Sequence, residues 1–158
     1  MSSSVILLVE DNEVDVILFK RALSKTGSDV PFEAVEDGEE AIRYLAGAGP
    51  FTDREKHPLP SLLILDLKLP KKSGLEVLEW LRAHPSFKEL PVLVLTSSSE
   101  LTDVSKAFEL GIGAYLVKPV GFEVLKEMVK AIRAFWERMD PETQASLGKL
   151  GTPAPPRP

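Results

Sequence analysis

The sequence predicts an α/β protein with one parallel, doubly wound sheet of five strands and helices on both faces. Two observations lead to this fold class. Short aliphatic runs recur along the 158 residues, and almost none alternates polar with apolar residues as a half-exposed antiparallel strand would. Segments with apolar residues at helical spacing separate these runs. Such alternation of buried strands with helices is typical of βαβ units with right-handed crossovers.

Each predicted strand is a short run of mostly aliphatic residues. The runs are VILLV (5–9), PFEAV (31–35), LLIL (62–65), VLVL (92–95) and AYLV (114–117), and PFEAV is the weakest candidate. Because helices cover a parallel sheet on both faces, its strands need apolar residues at successive positions. The other four runs meet this requirement.

The spacing of apolar residues predicts five helices. The second runs from Glu39 to about Ala46, and Gly27, Pro85 and Gly111 end the first, third and fourth. The residues that mark the other helices are Val14, Ile17, Leu18 and Ala22 in the first; Leu75, Leu78 and Leu81 in the third; Leu101, Val104 and Phe108 in the fourth; and Phe122, Leu125, Met128, Val129, Ile132, Phe135, Trp136 and Met139 in the fifth, at 122–139.

Two segments depart from this short-loop pattern. Residues 47–60, GAGPFTDREKHPLP, form a long polar connection where a few residues would suffice. After residue 139, Asp140–Pro141–Glu142 predicts the cap and first turn of a short extra helix, and the proline-rich 151–158 predicts a tail. We therefore divide the chain into a domain at 1–139 and a C-terminal extension at 140–158.

The composition excludes several kinds of site. The sequence has no cysteine, which rules out disulfides, thiolate metal sites and cysteine nucleophiles and suits a reducing cytoplasm. The net charge of −5 argues against a broad nucleic-acid-binding face. No apolar run approaches the length of a membrane span, and the N-terminus lacks the basic region of a signal peptide. We expect a cytoplasmic protein that binds neither nucleic acid nor membrane.

Polar residues follow the predicted strands. Glu10 and Asp11 come after the first strand, Asp66 after the third, Thr96 at the end of the fourth and Lys118 at the end of the fifth. The carboxyl ends of parallel strands meet at one edge of the sheet, where ligands bind in such folds. Three acids alone would repel one another, whereas a hard divalent cation such as Mg²⁺, with Mn²⁺ as an alternative, relieves the repulsion.

The lysine and the hydroxyl add the groups that bind a phosphoryl group. Asp66 is then interpreted as a carboxylate nucleophile that forms an aspartyl-phosphate. Each residue also has a structural interpretation: Asp66 could cap loop amides, Lys118 could be solvated, Thr96 could cap the fourth helix, and Tyr115 could belong to the core. The combination favours the functional interpretation, and the serines after Thr96 are expected to cap that helix.

Four segments, in order and spacing, closely resemble the receiver domain of bacterial two-component response regulators. They are LLVEDNEVD, LLILDLKLPKKSGLEVL, VLVLTSSS and GAYLVKPV, and the resemblance covers roughly residues 4 to 139. It implies a flavodoxin-like sheet with strand order 2-1-3-4-5. It also implies that Asp66 is the phospho-acceptor, that Asp11 binds the metal directly, that Glu10 acts largely through a water, and that the backbone carbonyl of Lys68 completes the ligands.

The same resemblance assigns the phosphate-binding residues. Thr96 would donate a hydrogen bond to a phosphoryl oxygen, and Lys118 would pair with the phosphate, positioned by a cis bond to Pro119. Tyr115 resembles the aromatic switch whose ring moves inward once Thr96 is drawn to the phosphate. The donor would be a phosphohistidine on a partner kinase, since neither His57 nor His84 lies in a motif for that role.

Lys68 departs from the family pattern, which commonly has a neutral or small polar residue two positions after the acceptor. Its carbonyl can still bind a metal ion, but its side chain could lean over the phosphoryl group or block the hydrolytic water. Our hypothesis is that Lys68 and Ser98 set the lifetime of the phosphorylated state.

Two other classes of protein compete with this interpretation. A phosphohydrolase with an aspartate nucleophile typically has a general acid two residues further on, where Lys68 stands here, and a cap domain that this sequence lacks. A degenerate receiver, which binds partners without phosphorylation, would lack the acceptor or the acidic pair, and this sequence has both.

Fewer than two dozen residues follow position 139, too few for a DNA-binding or catalytic output domain, so we expect a stand-alone receiver. The long 47–60 connection, the long last helix and the extension are similar to single-domain regulators paired with phytochrome kinases. That narrower resemblance implies a light-sensing histidine kinase as partner. It also implies a homodimer through the fourth helix, fifth strand and fifth helix, a face with Phe108, Tyr115, Phe122 and Trp136. The alternative is that these residues, Trp136 above all, pack inside the domain.

Overall fold

The computed structural model describes residues 5–27 and 30–139, and its centre is a five-stranded parallel sheet. The strands are β1 (Val5–Val9), β2 (Phe32–Val35), β3 (Pro60–Leu65), β4 (Val92–Thr96) and β5 (Ala114–Val117). Their order in the sheet is β2-β1-β3-β4-β5, and every neighbouring pair is parallel. This confirms the predicted fold class and strand order, including the weak candidate that became β2.

Five α-helices cover the two faces of the sheet. They are α1 (Glu13–Ser24), α2 (Gly38–Ala46), α3 (Gly74–Ala83), α4 (Leu101–Glu109) and α5 (Phe122–Met139). Buried residues of α2, α3 and α4 form one apolar cluster with the sheet, and buried residues of α1 and α5 form the other. Within the described ranges, no helix combines the length and the apolar character that crossing a bilayer requires. The predicted extension at 140–158 lies outside the described residues.

The strands are apolar at successive positions because both of their faces are covered. In β1, Leu7 and Val9 belong to the cluster with α2 and α3, whereas Ile6 and Leu8 belong to the cluster with α1 and α5. Successive side chains of a strand point to opposite faces, so a strand between two helix layers has no position for a polar residue. In β1, and in β3 from Leu62 onward, the next polar residue therefore occurs where the strand ends.

The inner face of α1 differs from the prediction. Val14 and Ile17 are exposed, and the fully buried residues are Phe19, Ala22 and Leu23. This helix has apolar residues on most of its circumference, so spacing alone does not choose between overlapping stripes. Burial selects the stripe that includes the large Phe19 ring, which stacks on Phe32 of β2.

The prediction for α4 was also wrong in its buried face. Leu101 is 78% exposed and Phe108 is 50% exposed, and Ala107 is the fully buried residue of this helix. The expected serine cap is absent as well: Glu100 is the N-cap and its side chain makes no capping hydrogen bond. With so little buried apolar area, α4 gains less from the hydrophobic effect than the other helices do.

The long connection at 47–60 is an ordered segment. A short 3-10 turn at Gly49–Phe51 places the Phe51 ring against Tyr44 of α2. The guanidinium of Arg54 donates hydrogen bonds to the carbonyls of Tyr44 and Leu45 at 2.8 Å each, which satisfies acceptors at the C-terminal end of α2. The segment closes one end of the apolar cluster.

The start of α3 fixes the loop that follows β3. Ser73 caps the helix in a capping box with Glu76, and the amide of Gly74 donates to the carbonyl of Leu67 at 3.0 Å. A Cβ atom at position 74 would lie 2.3 Å from the backbone oxygen of Asp66, a distance that only glycine avoids. This close approach holds Asp66 against the helix that follows it.

Candidate functional site

Three carboxylates meet at the carboxyl edge of the sheet. One oxygen each of Glu10, Asp11 and Asp66 lies within 4.8 Å of the other two. The β1–β3 register pairs Val9 with Leu65, and the amide of Asp66 donates to the carbonyl of Val9, so residues 10 and 66 leave the sheet side by side. Glu10 and Asp66 are each only 3% exposed, whereas Asp11 is exposed.

Lys118 lies among these acids. Its Nζ is 2.6 Å from Glu10 Oε1, 3.0 Å from Asp66 Oδ2 and 3.0 Å from Asp15 Oδ2. Its amide donates to the carbonyl of Thr96 at 2.8 Å, which continues the pairing of β5 with β4. An ammonium group has three N–H donors, and each of them has a carboxylate acceptor here.

Both oxygens of Asp66 accept hydrogen bonds. The buried Thr96 hydroxyl donates to Oδ1 at 2.7 Å, the backbone amide of Lys68 donates to the same oxygen at 3.1 Å, and Lys118 donates to Oδ2. A nearly buried carboxylate needs such partners because its desolvation is otherwise costly. The structure therefore brings the predicted residues Glu10, Asp11, Asp66, Thr96 and Lys118 together at one site.

Burial and the neighbouring charges alter the pKa values of Glu10 and Lys118. Burial raises the pKa of Glu10, and its hydrogen bonds from Lys118 and from the amide of Asn12 only partly offset this. Burial alone would lower the pKa of Lys118, but its bonds to Glu10, Asp66 and Asp15 outweigh that effect and raise it. Lys118 is therefore an ammonium ion at neutral pH.

The predicted cis bond before Pro119 is wrong. No peptide bond within residues 5–27 and 30–139 is cis. The Lys118 ammonium reaches its three carboxylates from a trans peptide, so the geometry of the site does not require the isomer that costs about 0.5–1 kcal/mol.

A second polar cluster lies beside the site, around Asp103 in the first turn of α4. Lys68 Nζ is 3.3 Å from Asp103 Oδ2, and the Ser98 hydroxyl donates to the same oxygen at 2.8 Å. The Ser98 bond and the Lys68 ammonium lower the pKa of Asp103. The Tyr115 hydroxyl donates to the carbonyl of Ser98 at 2.8 Å, and its ring is half-buried. The side chains of Lys68 and Ser98 thus bond to α4, and those bonds do not involve Asp66.

Asp15 and Asp103 were not among the residues predicted from the sequence. Both lie in the first turn of a helix that follows a strand with a site residue at its end. The first turn of such a helix begins at the carboxyl edge of the sheet, so acids at these positions could have been included as candidates. Which of them would face inward depends on the rotation of each helix, which the spacing of apolar residues left undecided for α1 and α4.

The donor set suits a hard divalent cation. Glu10, Asp11 and Asp66 offer only oxygen ligands, and Mg²⁺ and Mn²⁺ prefer carboxylates, carbonyls and water. Three acids and one lysine leave an excess of negative charge, which a cation would neutralise. The role of the Lys68 carbonyl as a ligand stays a prediction.

A parallel sheet with an acidic pair, a buried aspartate, a hydroxyl and a lysine at successive strand ends agrees with the receiver domain of the two-component type that the sequence resembles. The chain belongs to the response regulator receiver domain family, which it matches over residues 6–130. Receiver domains bind a divalent metal, and the acidic cluster described above fits that property.

Several known proteins are similar over most of the chain. The response regulator Rcp1 of Synechocystis sp. is 39% identical over 132 residues, which cover 84% of this chain and 88% of Rcp1. The crystal structure of Mn²⁺-bound Rcp1 superposes with a TM-score of 0.76 over 84% of this chain and 94% of that one. The phosphorylated cyanobacterial phytochrome response regulator RcpA is 35% identical with a TM-score of 0.77, over 86% and 94% of the two chains.

A further relative is, by its name, a regulator of methanogenesis. The probable methanogenesis regulatory protein FilR2 of Methanothrix harundinacea is 37% identical over 135 residues, which cover 84% of this chain and 83% of FilR2.

Replacement of Lys118 by methionine should lower the free energy of unfolding by about 3–5 kcal/mol, because Glu10 and Asp66 would stay buried without their cation. Added Mn²⁺ should raise the melting temperature of this variant more than that of the wild type, since the ion supplies the missing positive charge. Thermal and urea unfolding with and without Mn²⁺ measure both effects.

The matched control is Lys130→Met, which breaks an exposed ion pair with Glu127 on α5. It should change the free energy of unfolding by less than about 1 kcal/mol. Equal effects of the two substitutions would contradict the view that Lys118 compensates buried charge.

Proposed function

We propose that the protein is a stand-alone response regulator whose Asp66 accepts a phosphoryl group from a phosphohistidine of a partner histidine kinase. The observation that supports this most directly is the environment of Asp66. Its carboxylate is nearly buried, both oxygens have hydrogen-bond donors, and two further acids and an ammonium group lie beside it.

In the proposed reaction one Asp66 oxygen attacks phosphorus. The P–O bond forms while the P–N bond of the phosphohistidine breaks, and the electron pair of that bond returns to the imidazole nitrogen. Lys118 would pair with a phosphoryl oxygen, and Thr96 would donate its hydroxyl hydrogen to another. A divalent ion, proposed to be Mg²⁺, would neutralise charge on the phosphoryl oxygens when bound to Glu10, Asp11, Asp66 and the Lys68 carbonyl.

The proposed response to phosphorylation begins at Thr96. Its hydroxyl now donates to Asp66 Oδ1 and would instead donate to a phosphoryl oxygen. Tyr115 would then turn inward, as the aromatic switch, and give up its hydrogen bond to the Ser98 carbonyl. The half-buried position of the Tyr115 ring supports this role, because the ring is neither locked in the core nor free in solvent.

Exposed aliphatic side chains around the site suit contact with a kinase. Val14 and Ile17 of α1 and Val120 and Val124 around the start of α5 are more than half exposed, and Val120 is 96% exposed. They follow β1 and β5 and therefore lie at the same edge of the sheet as Asp66. We propose a phytochrome-type histidine kinase as the partner, which the similarity to RcpA supports, and a cytoplasmic location, which the absence of cysteine supports.

The phospho-acceptor test uses Mg²⁺ and acetyl phosphate with intact-mass measurement. The wild type should gain one phosphoryl group, and Asp66→Asn should gain none, because the amide is a poor nucleophile. Transfer from an autophosphorylated phytochrome kinase, compared with an unrelated histidine kinase, tests the partner.

Each other class of function has its own outcome in this experiment. No adduct in the wild type would favour a degenerate receiver. Continuous release of phosphate from small esters would favour a phosphohydrolase, although Lys68 stands where such an enzyme has its general acid. An adduct that persists in Asp66→Asn would place the acceptor elsewhere.

The lifetime of the phosphorylated state is proposed to depend on Lys68 and Ser98. Asp103 binds both side chains, which holds the Lys68 ammonium on α4. The bond to Asp103 also raises the pKa of Lys68, so the side chain stays charged. The ion pair with Asp103 then limits how closely the Lys68 side chain can approach an acyl phosphate and shield it from water.

Lys68→Asn should raise the rate of autodephosphorylation, because the shielding side chain is lost. Asp103→Asn should lower that rate, because it frees Lys68 to approach the phosphoryl group. Decay of the phosphorylated mass after removal of donor measures both rates. Lys72→Asn is the control, because it removes a charge from the same loop four residues away. Equal rates in Lys68→Asn and the wild type would rule out the role of Lys68.

A homodimer through α4, β5 and α5 is also proposed, with a revised set of contacts. Phe122 and Trp136 pack against the cluster under α1 and α5, and Trp136 Nε1 donates to the Ser61 hydroxyl at 2.9 Å. Exposed apolar residues on α4 and β5 include Leu101, Phe108 and Val117. An exposed apolar patch on a small domain favours association.

Phe108→Asp should weaken self-association at least about tenfold, because it introduces a charge into the proposed contact. Sedimentation velocity of the phosphorylated and unphosphorylated protein measures the association. Val14→Asp, at a position on α1 that is also at least half exposed, should leave the association unchanged. A wild type that is monomeric in both states would contradict the dimer.

A further inference from the structure

Asp15 touches the site from α1 without belonging to the group of acids that could hold a cation. Its Oδ2 is 3.0 Å from Lys118 Nζ, and the carboxylates close enough to share an ion are those of Glu10, Asp11 and Asp66. Asp15 therefore contacts the lysine of the site and is absent from its candidate metal ligands.

A role for Asp15 as a helix cap does not explain this contact. Asp15 occupies the third position of α1, where an acidic side chain often accepts the amide of the N-cap residue. Here the amide of the N-cap, Asn12, donates to Glu10 Oε2 at 3.0 Å instead, and the Asn12 side chain accepts from the Asp15 amide. The Asp15 carboxylate points at Lys118, 103 residues away along the chain.

A cation and Lys118 would compete for the same carboxylates. Lys118 now donates to Glu10 and Asp66, and both are candidate ligands of the metal. An ion bound to these two acids would weaken their bonds to the ammonium, which is costly for a partly buried charge unless another acceptor remains. Asp15 is that acceptor, since its bond to Lys118 does not depend on the metal ligands.

We propose that Asp15 is a positioning residue that retains the Lys118 ammonium when a divalent cation occupies Glu10, Asp11 and Asp66. The bond to Asp15 would leave two N–H donors of Lys118 for the phosphoryl group. Without Asp15, two effects should both lower the affinity for the cation. Lys118 would turn fully to Glu10 and Asp66 and compete with the ion, and one negative charge near the ion would be lost. The inference deepens the proposed function and rests on it for the identity of the metal site.

The test is the affinity of the unphosphorylated protein for Mn²⁺, measured by isothermal titration in the absence of any phosphodonor. Asp15→Asn should bind Mn²⁺ about three- to tenfold more weakly than the wild type. Asp15→Glu, which keeps the charge and can still reach Lys118, should recover most of the affinity. Glu13→Gln removes the same charge from the same exposed turn of α1 and should weaken binding by less than about twofold.

The outcomes separate this inference from the proposed function. Equal Mn²⁺ affinity in Asp15→Asn and the wild type, or equal losses in Asp15→Asn and Glu13→Gln, would overturn the role of Asp15 and leave phosphorylation of Asp66 untouched. A wild type that binds no Mn²⁺ would overturn the metal site itself. Matching melting temperatures of Asp15→Asn and the wild type exclude misfolding as the cause of a weaker affinity.

Discussion

The ion pairs of Lys118 with Glu10, Asp15 and Asp66 are the interaction on which the site depends. Two of these three carboxylates are almost fully buried, and buried charges persist only where a counter-charge and hydrogen bonds compensate their desolvation. The counter-charge is Lys118, which follows the outermost strand, β5. It reaches the acids because the carboxyl ends of β1, β3 and β5 lie along one edge of the sheet in a fixed register. Without that alignment, neither the desolvation of the acids nor their mutual repulsion would be compensated.

The alignment is also the part of the molecule that the sequence predicted well. A strand with apolar residues at every position has only one place for a carboxylate, its end, and Asp66 follows LLIL at that place. Parallel topology then brings strand ends together whatever their separation along the chain. The fold class, the five strands and the convergence of Glu10, Asp11, Asp66, Thr96 and Lys118 all follow from these two constraints.

The features that the sequence did not predict are set by how each helix is rotated about its axis and by how far long side chains reach. The inner face of α1 was wrong because Val14, Ile17 and Phe19 lie on overlapping stripes, and only packing against the sheet decides between them. Asp15 and Asp103 were missed for the same reason, since each acts across a gap between two elements.

The weak burial of α4 has a consequence for communication within the domain. Arg82 of α3 donates to the carbonyls of Leu110 and Gly111 just beyond the C-terminal end of α4, and Asp103 holds its first turn through Lys68 and Ser98. A helix with one fully buried residue is held in place by polar contacts more than by apolar area, so a change in those contacts can move it at little energetic cost. The first-turn contacts are close to Asp66: the Lys68 amide donates to Asp66, and the Ser98 amide donates to the hydroxyl of Thr96, which itself donates to Asp66. Two short routes therefore join Asp66 to Asp103, and a new group on Asp66 would disturb both at once.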